Sequence, residues 1–201
     1  MKRITLALTG ASGMSYGLRL LECLLRAGCQ VDLLISQAAR IVAKQELDLQ
    51  LPAGNAEVAA FFDHRFTGHH GRLTAYGKEE WFAPAASGSN PATAMVVCPC
   101  TMGTLAAIAQ GLADNLIERA ADVMLKEKRP LILVPRETPF SLIHLRNMTA
   151  LAEAGATILP ANPGFYHRPA GVEQVVDFIV ARILDHLGVE HELIQPWGAR
   201  E

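Results

Sequence analysis

Arg3-Ile4-Thr5-Leu6-Ala7-Leu8-Thr9-Gly10-Ala11-Ser12-Gly13-Met14-Ser15-Tyr16-Gly17 decides how this chain folds. A β-prone apolar run breaks at a turn of small residues and passes at once into the amphipathic pattern of Leu18 to Leu25, a strand feeding a helix. Backbone N–H groups and hydroxyls gather at the start of such a helix, and its unpaired donors and dipole make an anion site. The spacing departs from the dinucleotide pattern G-x-G-x-x-G, because Ser12 stands where the second glycine would admit a pyrophosphate. A mononucleotide fits better. The plainer alternative is that the glycines only turn the chain.

Outward from this unit, apolar strands alternate with helical patterns. Strands are predicted over 3–9, 31–35, 94–98, 130–135 and 156–160, with a weaker one at 72–76. Helices are predicted over 14–27, 37–45, 56–62, 101–110, 114–128, 141–154 and 171–187. This rhythm specifies an α/β fold, a doubly wound, Rossmann-like parallel sheet in three α/β/α layers. Near-continuous apolar runs such as Ala94 to Cys98 and Pro130 to Val134 read as strands covered on both faces. Ligands then belong at the strands' carboxyl ends. The 201 residues, half of them apolar, are expected to form one domain over 1–201, with 188–201 as a C-terminal tail. Within it, Ala83 to Pro91 is a Gly/Pro/Ser-rich loop.

A net charge of −2 without a Lys/Arg cluster argues against nucleic-acid binding. The N-terminus enters a strand directly and no apolar stretch is long enough to span a bilayer, so a cytoplasmic protein is expected. Cys23, Cys29, Cys98 and Cys100 lack zinc-site spacing and read as reduced thiols. His64, His69 and His70 read as solvated loop histidines, and no metal is expected.

At the predicted carboxyl ends stand Gly10 to Gly13, Ser36, Cys98 to Thr104, Arg136-Glu137-Thr138 and Gly164 to His167. A NAD site would place a carboxylate near Ser36 for the ribose; a hydroxyl there instead donates to a phosphate oxygen, favouring a monophosphate such as FMN. Thr101 to Thr104 opens a helix whose free N–H groups suit a flavin carbonyl or a phosphate edge, and plain N-capping by Thr101 is an equal reading. Of Cys98 and Cys100, flanking Pro99, one is expected to face the cleft. Without a histidine nearby in sequence, both read as small apolar thiols rather than nucleophiles.

Taken together, Thr9-Gly10-Ala11-Ser12-Gly13, Ala86-Ser87-Gly88-Ser89, Cys98-Pro99-Cys100, Asn115 to Ala120, Val134-Pro135-Arg136-Glu137 and Gly164-Phe165-Tyr166 resemble the flavin prenyltransferase (UbiX) family over residues 3 to about 187. The resemblance implies metal-free joining of a dimethylallyl group from dimethylallyl monophosphate to N5 and C6 of reduced FMN. The prenylated FMN would go to a UbiD-type decarboxylase, with ubiquinone biosynthesis as the family's pathway. It also implies a homo-oligomer, with a dodecamer as family precedent.

Residue by residue, the resemblance assigns Gly10, Ala11, Ser12 and Ser36 to FMN, with Thr101, Met102, Gly103, Thr104 and Arg136 also on the flavin. Ser87, Arg119, Lys126, Arg136, Glu137, Tyr166 and Arg182 would surround the donor's phosphate, neutralising charge as the allylic C–O bond breaks. Arg119 and Arg182 sit on otherwise apolar helices, which points to buried cations; pairing of Arg182 with Asp185 or Glu173 is the plainer reading. Trp81, Tyr166 and Trp197 would offer π-faces to an allyl cation-like species. Ser12 and Glu46 resemble a pair that moves protons at N5, the acid reaching over from a neighbouring subunit, and Glu137 or the retained phosphate would shuttle a second proton. A flavin-dependent cysteine decarboxylase of related fold and a non-enzymatic FMN carrier are the alternatives. Against the decarboxylase, the chain has no P-x-M-N-x-x-M-W motif and no histidine after the first helix.

Overall fold

The computed structural model describes residues 1–195 and 198. Among these, six strands form one parallel sheet: β1 (Arg3–Leu8), β2 (Gln30–Ile35), β3 (Arg72–Tyr76), β4 (Ala94–Cys100), β5 (Leu131–Pro135) and β6 (Thr157–Ile158). Their order is β3-β2-β1-β4-β5-β6. The chain builds outward in one direction from β1 and then in the other from β4, so the crossover helices fall on opposite faces. The connections diverge at the carboxyl ends of β1 and β4, leaving a crevice there.

On one face lie α1 (Met14–Arg26), α2 (Gln37–Leu47), α3 (Asn55–Arg65) and α7 (Val172–Leu187), whose buried residues join Ile4, Leu6, Leu8, Val31 and Leu33 in one apolar cluster. On the other, α4 (Met102–Ala109), α5 (Leu116–Lys126) and α6 (Leu142–Glu153) pack on Ala7, Leu34, Met95, Val97, Leu131 and Leu133. Strand residues of alternate parity feed alternate clusters, as the pleat requires. Gly17 lets α1 lie directly on the sheet. A Cβ there would stand 2.4 Å from the Cys98 carbonyl oxygen and 2.6 Å from Leu8 Cδ2.

The predicted elements all occur, with displaced ends. β6 has only two residues rather than five, because Pro160 brings no N–H; the Leu159 and Ala161 amides on either side still donate to Leu133 O (2.8 Å) and Pro135 O (3.2 Å). β4 runs on to Cys100 through a register shift after Val97. That shift puts Cys98 in the α1/α7 cluster and Cys100 in the α4/α5 cluster, although the two are separated by one residue. Neither thiol faces the cleft, contrary to the expectation for one of them: both are fully buried. Burial pushes the Cys98 thiol up and the Cys100 thiol up to about 12, so neither is a nucleophile at neutral pH.

Candidate functional site

The crevice between β1 and β4 is held by a buried hydroxyl. Thr9 Oγ1 donates to Pro99 O (2.7 Å) and accepts from Thr101 N (2.8 Å), while Thr9 N donates to the same carbonyl (3.2 Å). These three bonds fix the Gly10–Gly13 loop against the start of α4, and the sequence reading assigned Thr9 no part. Gly10, Ala11, Ser12, Thr101, Met102, Arg136 and Glu137 line one cavity of ≈250 Å³. Six of these seven came from β1, β4 and β5 ends already singled out for a flavin. Gly10 permits a further approach, since a Cβ there would meet Ala38 Cβ at 2.4 Å. The N-terminus of α2 therefore closes against the loop.

Each helix at this crevice starts on a cap. Ser36 Oγ accepts from Ala39 N (3.1 Å), leaving its hydroxyl proton to donate. Thr101 Oγ1 accepts from Thr104 N (3.1 Å) and lies 2.9 Å from Thr104 Oγ1, so plain capping accounts for its side chain.

Helix α1 is capped by a distant acid. Glu46, in the last turn of α2, accepts from Gly13 N with both oxygens (3.1 Å each) and from Met14 N with Oε2 (2.9 Å). Partial burial works to raise its pKa; hydrogen bonds from the Ser12 hydroxyl and the Met14 and Gly13 amides, with the charge of Arg136, outweigh burial and hold it below the ordinary glutamate value. Two expectations change. The acid beside Ser12 comes from the same chain, not from a neighbouring subunit. And the α1 N-terminus is no open anion site, since a carboxylate already takes its first amides. Open donors remain at the start of α2, beside Ser36, and in the first turn of α4.

The residues assigned to the prenyl donor do not share one cavity within the chain. Arg136 and Glu137 line the crevice. Arg119 is half-buried, donating through Nε to Ala86 O (3.0 Å) and pairing through Nη1 with Asp122 (2.7 Å), and thereby holds the loop that carries Ser87. Ser87 Oγ lies 2.9 Å from Ser89 Oγ; Lys126, paired with Glu127 (2.5 Å), crowds the same loop at Gly88. Tyr166 and Arg182 line a separate cavity of ≈560 Å³ with His167, Phe178, Asp185 and His191 among its walls. Arg182 is half-exposed and pairs with Asp185 (2.6 Å), so neither it nor Arg119 is the buried cation that apolar helix neighbours suggested. Each lies where the apolar stripe of its helix gives way to the polar face. Phe178, Arg182 and Asp185 recur at i, i+4 and i+7 of α7, the spacing that could have revealed this wall. Trp81 is exposed. Trp197 lies outside the described residues.

No helix among the described residues is long and apolar enough to cross a membrane, and no group of three or more His, Cys, Asp or Glu among them is placed to hold a metal ion. The histidines are not all solvated loop residues as expected: His64 lies in the last turn of α3, and His69, its side chain largely buried, meets Asp63 at 3.2 Å.

The fold and crevice are those of a flavin-binding α/β protein, and residues 1–184 match the family model described as Flavoprotein. Flavin prenyltransferase UbiX of Pseudomonas aeruginosa is 55% identical over 197 residues, 98% of this chain and 94% of that protein. The crystal structure of AnUbiX in complex with FMN and dimethylallyl pyrophosphate superposes with a TM-score of 0.87 at 40% identity, over 100% of this chain and 99% of that one. A dodecameric FMN-dependent UbiX-like decarboxylase from Escherichia coli O157:H7 follows at 0.85 and 38%, over 98% and 100%. The chain belongs to the flavin prenyltransferase UbiX family.

Proposed function

We propose that this chain is a cytoplasmic, metal-independent flavin prenyltransferase that takes dimethylallyl monophosphate as donor and hands prenylated FMN to a UbiD-type decarboxylase. The observation that carries the reading is the Ser12–Glu46 couple, built from the chain's own residues at the rim of the crevice and faced by Arg136. Reduced FMN supplies the nucleophilic N5 and then C6. Its fit rests on the cavity lined by Gly10, Ala11, Ser12, Thr101 and Met102, and on the Thr101–Thr104 turn at its edge.

Ser36 and the first amides of α2 would hold the FMN phosphate, with Gly10, Ala11 and Met102 against the flavin. Gly103, exposed in the first turn of α4, lets the ring approach that turn's amides. At N5, the Ser12 hydroxyl would pass a proton to Glu46, which the crevice keeps ionised and therefore ready to accept it. Arg136 would meet the leaving phosphate, and at the second bond-forming step Glu137 or the retained phosphate would give a proton to the prenyl alkene and take back the one that C6 releases.

The donor's remaining partners, Ser87, Arg119 and Lys126 in one place and Tyr166 and Arg182 in another, are read as parts of one site assembled from several protomers. Exposed Leu142, Ile143 and Leu145 on α6, Phe165 beside Tyr166 and the tip residues Trp81 and Phe82 supply apolar surface for such an assembly. The dodecameric neighbour supports it. Four free cysteines suit a reducing compartment.

The test is anaerobic incubation with reduced FMN and dimethylallyl monophosphate, followed by absorbance and mass of the flavin released. A prenylated flavin is expected. Unaltered FMN, with carbon dioxide released from a peptidyl or pantothenoyl cysteine, would replace this reading by the decarboxylase; unaltered FMN and no turnover of either substrate would leave an FMN carrier.

A further inference from the structure

Behind Arg182 stands a second layer of side chains, Asp185 from the next turn of α7 and His191 from beyond the helix end. The helix closes at Gly188 (φ 59°), where Gly188 N donates to Asp185 O and Val189 N to Leu184 O, both at 3.0 Å. This pair of bonds reverses the chain at a helix end. Lys2 Nζ clamps the same turn through Leu187 O (2.8 Å). The reversal lays 189–193 back beside the helix and delivers the His191 ring to Asp185, with Nε2 3.0 Å from Oδ1. The other carboxylate oxygen, Oδ2, accepts from Arg182 Nη1 at 2.6 Å. Leu193 N points at His191 Nδ1 (3.4 Å), so the neutral ring carries its proton on Nε2 and donates it to Asp185.

An isolated exposed ion pair holds a guanidinium loosely, because side-chain entropy and solvent screening offset the Coulomb attraction. Here the carboxylate is anchored on its far oxygen by a ring only 12% exposed, while Asp185 and Arg182 are 45% and 50% exposed. One N–H of the guanidinium is committed to Asp185; the fork geometry leaves the others for a phosphate. We propose that Asp185 and His191 are positioning residues for Arg182, and that the 189–193 segment buttresses the donor pocket rather than trailing from the domain. This rests on the reading that Arg182 meets the donor phosphate.

The experiment measures dimethylallyl monophosphate binding by calorimetry to the full chain loaded with oxidised FMN, in which transfer does not run. His191→Ala is expected to weaken the donor by about three- to tenfold, and to add nothing when Arg182→Ala is already present. His191→Gln, whose amide can replace the Nε2–H donor, restores most of the affinity, and Asp185→Asn gives an independent break in the same relay. FMN affinity stays constant throughout. An equal loss from His191→Ala in both backgrounds would mark a merely structural role and overturn the inference. So would an unchanged donor affinity in His191→Ala while Arg182→Ala weakens it. If Arg182→Ala itself leaves donor affinity unchanged, the donor-site reading falls first and takes the inference with it.

Discussion

Ser36→Ala separates two jobs done by one hydroxyl. In the free protein Ser36 Oγ caps α2 by accepting from Ala39 N at 3.1 Å, and loss of such a cap costs about 1 kcal/mol of stability. In the FMN complex the same hydroxyl would donate its proton to a phosphate oxygen, and a hydrogen bond to a charged group contributes about 1.5–3 kcal/mol. At about 1.4 kcal/mol per factor of ten, FMN affinity should fall by roughly tenfold to a hundredfold. Riboflavin, lacking the phosphate, should bind the wild type and Ser36→Ala almost equally. The cap loss enters the unfolding free energy and not this ligand difference, so the two effects are measured apart. Fluorescence titration of both flavins against both proteins gives the cycle, with urea unfolding alongside. A parallel loss of riboflavin and FMN affinity would refute the placement of the phosphate at α2. So would a wild type that binds the two flavins equally.

Glu46→Gln removes the charge from the α1 cap. Because the folded carboxyl titrates below its ordinary value, Glu46 adds stability above the free-glutamate range and loses it as pH falls through the folded value; the difference in unfolding midpoint between wild type and variant should shrink on acidification, and a difference that grows would contradict the sign. Gly17→Ala sets a helix-propensity gain of about 1 kcal/mol against overpacking of up to about 3 kcal/mol, and with backbone oxygen 2.4 Å from the new Cβ the clash wins. Its melting temperature, read at fixed protein concentration, should drop by several degrees, whereas a rise would show that α1 shifts freely. Tyr166→Phe should slow prenyl transfer and spare FMN binding; lost FMN with normal turnover at saturating flavin would show that the two sites have been exchanged. Under the proposed assembly, turnover should survive EDTA and favour the monophosphate over the pyrophosphate donor, because Arg136 and the donors that Arg119, Lys126 and Arg182 keep beyond their carboxylate partners would hold the phosphate without magnesium. Abolition by EDTA, restored by magnesium, would assign that work to a metal.

Local pattern was sufficient for much of this protein. The apolar run to Leu8, the small-residue turn and the amphipathic stripe after it specify β1 and α1 because period and turn chemistry act over a few residues, and the same holds for β2, β4 and β5. The glycines, Ser36 and Thr101 were legible as helix starts at strand ends for the same reason. Only the tertiary structure decided what reaches those helix starts. Glu46 lies 33 residues from Gly13 yet satisfies its amide, and Thr9 binds Pro99 from 90 residues away. The Thr9–Pro99 pair arises from the parallel crossover, which sets carboxyl ends of remote strands side by side, and the Glu46 cap from the packing of α2 against α1; neither leaves a trace in spacing. That Arg119 is only half-buried and Arg182 half-exposed was hidden likewise: an apolar neighbourhood in sequence does not say on which side of its helix a cation emerges. The His191 relay depends on a chain reversal at Gly188, and a glycine after an apolar helix announces that the chain turns without saying what it turns onto.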